Sequence, residues 1–556
     1  MARNRREPEE EFDDAEFEEP EPEEYADEGA EGGDEGAEAA LERPQWLQDM
    51  PFFALSALLH LILFIVLYNF VVETRQKTQE ESTIQVRQAP PPPPKYDPTL
   101  KRAMKRTPKL LHEKNVKQPI VKLKKDTVTP DIPKGTSLDN LTNLNILNSI
   151  HDAIGVGGGA AGAYGERWGK GSLWNEGGSE GTEEAVRAAL EWLRRHQAPN
   201  GSWESADFVK RCRKTCQNEN PARYGDGRGF PAHDVGVTGL AILAFAGYGH
   251  THRDGVFPEY GECLRKAVDY LLSVQVKSND PTTNGRFGDE EDEQWIYDHA
   301  IATMGMAELL VMSNDVIKLK RPVTDAVRLC LRAQNDGYGW RYGVKPGSND
   351  TSVTGWMVLA LKTAKNARVE IPKADFDRAF AGALNWFNQA TNAAGKTGYM
   401  APGDEGSRLL KGHPDPYPYS KDLSCMTAVG VLCRIFSGES RSSPTVRNGV
   451  KILMAHTPKW QEQKGRTLST INLYYWYYGS YALFQFGGPE WKKWNEDMQE
   501  ALLNSQRAGE HLCEDGSWDP IGEWGIAGGR VYSTAIGAMT LEVYYRFRRI
   551  QGGVEF

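Results

Sequence analysis

From Thr182 to the C-terminus one pattern keeps returning, and it limits what the chain can become. "RAALEWLRRHQ" ends at Gln197 and leads through Gly201 to Trp203. "CLRKAVDYLLSVQ" ends at Gln275 and leads to "NGRFG". "VRLCLRAQ" ends at Gln334 and leads to "DGYGW", which closes on Trp340. "FAGALNWFNQ" ends at Gln389 and leads to "TGYM", and "MQEALLNSQ" ends at Gln506 and leads to "EDGSW", which closes on Trp518. The gaps between these glutamines are 78, 59, 55 and 117 residues, so the last spans about two periods. The copy without a glutamine falls at "VRNGVKILMAH", Val446 to His456. Each copy is an amphipathic helix followed by a Gln and a Gly-aromatic turn. A period of this size is the mark of a stacked repeat.

A second helix type alternates with the first. Its six copies begin at His233, Tyr297, Asn349, Asp422, Ile471 and Tyr532. "HDVGVTGLAILAFAGYG" and "INLYYWYYGSYALFQFGG" are apolar nearly all round, so such helices belong inside, and the helices with one charged face belong outside. Helix pairs that each leave an apolar face uncovered must stack, and six pairs can close into a ring. The expected class is all-α, an (α/α)6 toroid of six inner and six outer helices over residues 181–556. In this reading the Gln hydrogen-bonds carbonyls left free at its own helix end. The Gly permits the tight turn. The aromatic ring covers the Gln and the neighbouring outer helix. Gln197, Gly201, Trp203, Gln334, Trp340, Gln506 and Trp518 are therefore structural.

With these repeats on view, the chain resembles the squalene–hopene cyclase and protein prenyltransferase β-subunit superfamily over about 375 residues. In the cyclases the resemblance implies an acid in a D-x-D-D-T motif at the start of an inner helix. The matching stretch is "GSNDTSVTGW", in which Asp350 and Thr351 match but Asn349 holds the proton-donating place and Gly347 the first Asp place. An amide cannot protonate an alkene as a carboxylic acid can. In the prenyltransferases the resemblance implies a zinc site of Asp-x-Cys and His. "DLSC" offers Asp422 and Cys425 one residue too far apart, and Tyr532 stands at the His position, so the set is incomplete.

Asp234, Asp298, Asp350 and Asp422 begin inner helices, with His233 and His299 beside two of them. Asp is favoured as an N-cap and suits the helix dipole. If the inner helices run parallel, as the resemblance implies, these groups also collect at one mouth of the ring. Asp234, Asp298, His299 and Asp350 are then the catalytic candidates, and a divalent metal is the only cofactor such a mouth suggests. His233, Trp295, Tyr297, Asn349, Trp356, Tyr475 and Trp476 are candidates for the cavity wall, with core packing as the alternative for the aromatic ones.

The first 180 residues read differently. Residues 1–43 hold 19 Asp/Glu against 4 Arg, too acidic and too poor in aromatics to bury a core, so 1–48 reads as a disordered tail. Residues 51–72 are 22 residues with one His and no formal charge, long enough for a transmembrane helix. Residues 73–180 carry a "PPPPP" run, a basic stretch and a Gly-rich segment, and read as a linker. Ser56 and His60 share one helix face. "SALLH" with the Pro-rich segment after it resembles the N-terminal anchor of TonB-type energy transducers, where such a Ser and His couple to a proton-driven partner. That resemblance implies a single-pass inner-membrane protein with a cytoplasmic tail and a periplasmic toroid. The Arg and Lys excess after residue 72 argues for the opposite orientation. Of seven Cys, Cys212 and Cys216 are close enough to pair or to hold a metal, whereas Cys330, Cys425 and Cys433 fall on apolar helical patterns and should be buried. The expected function is binding of a lipid, isoprenoid, peptide or envelope protein partner, with no nucleic acid. Divergent cyclase or prenyltransferase chemistry is the alternative, and a TonB-like transducer is the second.

Overall fold

The computed structural model describes residues 60, 177–212, 227–253, 257–290, 294–404, 425–461, 471–509, 513–522 and 524–546. The acidic tail, the linker up to residue 176, Ser56 and the span expected at 51–72 lie outside them, apart from His60, which is helical and exposed; the linker's last expected residues, Ser179 and Glu180, already cap and begin the first helix. Among the described residues no helix is long and apolar enough to cross a membrane.

From Glu180 on, thirteen α-helices follow in order among the described residues, with no β-strand beyond isolated bridges. Six outer helices are α1 (Glu180–Arg195), α3 (Pro258–Ser273), α5 (Val316–Ala333), α7 (Lys373–Ala390), α9 (Pro444–Met454) and α11 (Gly488–Ser505). Six inner helices are α2 (Asp234–Gly247), α4 (Trp295–Ser313), α6 (Thr351–Asn366), α8 (Cys425–Phe436), α10 (Leu473–Phe486) and α12 (Gly525–Leu541). A final turn, α13, spans Val543–Arg546. Each inner helix packs on the next inner helix, and α12 returns to pack on α2, so the inner layer closes on itself. The burial pattern follows the sequence. Every residue of α4 except Val311 is buried, whereas α1 buries one face and keeps its charges apart from Glu183 at least partly exposed.

The turns after the outer helices join three helices at once, and the two key side chains exchange the roles expected of them. The indole N–H donates to its own helix end: Trp203 to Leu193 O at 2.8 Å, Trp340 to Cys330 O at 2.7 Å and Trp518 to Leu502 O at 2.9 Å. The glutamine amide instead reaches the next outer helix. Gln197 donates to Cys263 O on α3 at 2.8 Å, Gln275 to Pro322 O on α5 at 2.9 Å and Gln334 to Ala379 O on α7 at 2.9 Å. Gln506 closes the circle by donating to Ala185 O on α1 at 2.8 Å. Each glutamine also donates to a carbonyl of its own turn, as Gln197 does to Gly201 O at 2.9 Å. An inner-helix threonine supplies the third link, accepting the backbone N–H of the aromatic: Thr238 from Trp203 at 2.9 Å and Thr354 from Trp340 at 3.0 Å.

Gly201 shows why the turn tolerates no other residue. Its φ is +95°, and a Cβ there would stand 2.2 Å from Lys266 O on α3. One copy departs from the expectation. Gln389 is still inside α7 and exposed, and Arg434 of α8 makes the bond to α7's own end that the indole makes in other copies, donating to Phe387 O at 2.9 Å. The last inner helix also begins earlier than Tyr532, at Gly525, with a break at Gly529 where φ is +64°. Its first turn is held by the loop before α2, since Phe230 N donates to Ala527 O at 2.7 Å.

Candidate functional site

The break in α12 leaves room at one end of the inner layer. A cavity of about 60 Å³ lies there, walled by Tyr297, Trp356, Tyr474, Trp524 and Tyr532, with His233, Gln294 and Asp298 as polar members. Tyr297 lies 5.6 Å from Trp524 between ring centres, and Trp524 lies 5.9 Å from Tyr474, so the walls form one aromatic surface. Burial pushes the Tyr297 and Tyr474 phenols well above their ordinary range, so both stay protonated.

One carboxylate faces this wall. Asp298 Oδ2 lies 3.2 Å from His233 Nδ1, and both side chains are nearly buried. Gly236 makes the approach possible: a Cβ there would sit 2.0 Å from Asp298 Oδ1. Asp298 thus enters the cavity from the first turn of α4, and His233 enters from the short 3-10 turn Pro231–His233 that leads into α2.

The other predicted acids do not join the pair. Asp234 Oδ1 accepts from both the backbone N and the hydroxyl of Ser205, at 2.7 Å each, and burial raises its carboxyl to about 6. Asp350 caps α6 by accepting from Val353 N at 2.7 Å, and burial pushes it to about 7. Its Oδ2 is buried without a hydrogen bond, 4.0 Å from Arg341 Nε. The capping reading therefore holds for Asp350, whereas Asp234 makes no capping bond to α2 and instead ties its first turn to Ser205. His299 is a clasp residue. Its Nδ1 accepts from Phe287 N at 3.2 Å, the role threonine plays in other repeats, and its Nε2 lies 3.2 Å from Ala326 O. That carbonyl can only accept, so Nε2 carries the proton and the ring is neutral. Burial lowers its pKa to about 4.

Of the predicted cavity wall, His233, Tyr297 and Trp356 line this pocket. Trp295 instead packs under the Arg286 guanidinium at 5.4 Å, and Asn349 accepts from Asn335 in its own loop at 2.9 Å. Tyr475 points to the outer layer, where its hydroxyl donates to Leu453 O on α9 at 3.3 Å, and Trp476 meets Trp460. Sequence reasoning missed Tyr474, Trp524, Tyr532 and Gln294 as wall residues. "LYYWYYG" is aromatic on every face, so no periodicity says which ring points inward.

The metal reading also moves. Cys425 is buried at the start of α8, and Asp422 lies outside the described residues. Cys330 and Cys433 are buried thiols, as their apolar surroundings predict. The one group of metal-ligating side chains among the described residues is His196, Cys212 and Cys513. A further depression of about 1020 Å³ is an open basic groove between α9 and α11, lined by Arg441, Arg447, Lys451 and Lys493.

No family model matches the chain, and no curated protein matches it. Among solved structures it is similar to a novel alpha-amylase from Clostridium perfringens, at 9% identity and TM-score 0.40, over 65% of this chain and 97% of that one. It is also similar to a protein from Actinoplanes, at 14% identity and TM-score 0.38, over 66% of this chain and 99% of that one. Likeness at this level carries no argument about function.

Proposed function

We propose that the chain is an (α/α)6 toroid on a single-span membrane anchor, and that its inner cavity receives one cationic side chain of a peptide or envelope protein partner. The observation that carries this reading is the make-up of the cavity: five aromatic rings and a single carboxylate, Asp298, in about 60 Å³. Aromatic faces attract cations, and more strongly where water is excluded. A volume of this size suits an ammonium or guanidinium head. Pockets that enclose whole ligands run from about 300 Å³ upward, so an isoprenoid would need a much larger space. Asn349 and the incomplete Asp422/Cys425 set weigh in the same direction, against cyclase or prenyltransferase chemistry.

The test uses the full chain in detergent and saturation-transfer NMR. N-acetyl-argininamide and N-acetyl-lysinamide should bind, and N-acetyl-glutaminamide should not. Asp298→Asn should weaken the cationic probes by about tenfold or more, as loss of a buried ionic partner predicts. Equal binding of the neutral probe, or an isoprenoid that co-purifies with the chain, would end this reading. A second reading rests on the His233–Asp298 pair itself, since a carboxylate-oriented imidazole can carry a proton in general acid–base catalysis.

A further inference from the structure

His196, Cys212 and Cys513 come from opposite ends of the ring. His196 follows α1, Cys212 follows the 3-10 turn Asp207–Arg211, and Cys513 sits in the loop after α11, 317 residues from His196. Their ligand atoms all lie within 4.8 Å of one another. His196 Nε2 is 3.3 Å from Cys513 Sγ and 3.6 Å from Cys212 Sγ.

The imidazole is set up as a donor to a metal. Its Nδ1 lies 2.8 Å from Trp192 O, and a carbonyl only accepts, so the proton sits on Nδ1 and the lone pair on Nε2 faces the sulfurs. A backbone partner on the second nitrogen is how metal-bound histidines are held. The ring is stacked on Trp192 at 4.1 Å and edged by Phe208, so it cannot swing away cheaply. One cation between the three atoms can accept a bond from each of them. Zinc bonds of about 2.05 Å to nitrogen and about 2.3 Å to sulfur, at tetrahedral angles, put nitrogen and sulfur about 3.6 Å apart. The observed separations are close to this.

We infer that His196, Cys212 and Cys513 hold a zinc ion that staples the first repeat to the last. Binding displaces the two thiol protons, and two thiolates balance the charge of Zn²⁺, which suits a site where His196 and Cys513 are buried. The fourth position goes to water. The same seam is crossed by Gln506, which donates to Ala185 O, and by Arg195, which donates to Asp515 O at 3.0 Å.

The test is metal analysis of the full chain, purified in detergent without a histidine tag, with zinc as the probe. The wild type should carry one zinc per chain. Cobalt substitution should give a thiolate-to-cobalt charge-transfer band in the near ultraviolet. Chelation should lower the melting temperature, and added zinc should restore it. Cys513→Ser should drop the zinc to background and abolish the cobalt band. If that variant does not fold, the stoichiometry and band of the wild type still decide. A metal-free wild type without the cobalt band overturns the proposal. So do peptide maps that join Cys212 to Cys513 as a disulfide, and so does zinc that persists undiminished in Cys513→Ser.

Discussion

Asp350 shows at the residue scale how one side chain can be a good cap and a strained ion together. It caps α6 through Val353 N, yet its second oxygen is buried without a hydrogen bond, and burial lifts its pKa from the ordinary 3.8 to about 7. The folded chain therefore binds this proton more tightly than the unfolded chain does. Between pH 4 and 7 the unfolded state has lost the proton and the folded state has kept it, so this group makes stability fall as pH rises. A shift of this size corresponds to an upper bound on the order of 4 kcal/mol. Asn keeps the capping oxygen and has no charge. Asp350→Asn should match the wild type near pH 4 and melt higher at pH 8, by several degrees in calorimetry of the full chain. Equal melting temperatures at pH 8 would show that the carboxylate is not strained. His299, with a pKa lowered to about 4, acts with the opposite sign, losing stability as pH falls below 6.5. It is present in both proteins, so it cancels in the comparison. The sequence displayed Asp350 and His299 as chemistry-bearing residues beside helix starts. What it could not display was that Thr238, Thr354 and His299 hold equivalent places in successive turns. That equivalence exists only in three dimensions.

At the scale of the element, the repeat was legible in the spacing of Gln, Gly and aromatic, and the inner helices in their unbroken apolarity. Helix pairing follows directly from those two patterns. The wiring of the turn was not legible, because a glutamine and a tryptophan can each reach a helix-end carbonyl. Distance decides it: the indole folds back over its own helix, and the amide is left to cross to the next one. The inner-helix threonine is the silent partner in this turn. Thr354→Val keeps the shape and removes the acceptor of the Trp340 N–H, which is then buried unpaired. The cost should be about 1–3 kcal/mol, read as a lower urea midpoint. Thr354→Ser keeps the oxygen and should recover most of the loss. If serine does no better than valine, the hydroxyl is not what joins α6 to the turn. The same limit explains the cavity. Five aromatics in a row on α10 carry no phase, so only the packed structure shows that Tyr474 faces in and Tyr475 faces out.

At the scale of the whole molecule the question is what a closed ring gains over a row of stacked pairs. In a row, each repeat is held by its neighbours and the ends fray. Here the end repeats meet, and Gln506 makes across the closing seam the bond that Gln334 makes between neighbours in sequence. Gln506 links α11 to Ala185 of α1 over 321 residues, and Gln334 links α5's turn to Ala379 over 45. Gln506→Ala and Gln334→Ala remove equivalent pairs of hydrogen bonds, so their global costs should be similar, about 1–3 kcal/mol. Their local consequences should differ. After Gln334→Ala, α5 and α7 are still tied by the short chain through α6, and an opened contact recloses readily. After Gln506→Ala, the chain offers no such tether, and α1 can separate from α11. Hydrogen exchange should therefore rise across α1 and α11 in Gln506→Ala, while α5 and α7 stay protected in Gln334→Ala. Matching exchange patterns in the two variants would mean that the seam is no weaker than any other joint, and that packing of α12 on α2 alone closes the ring.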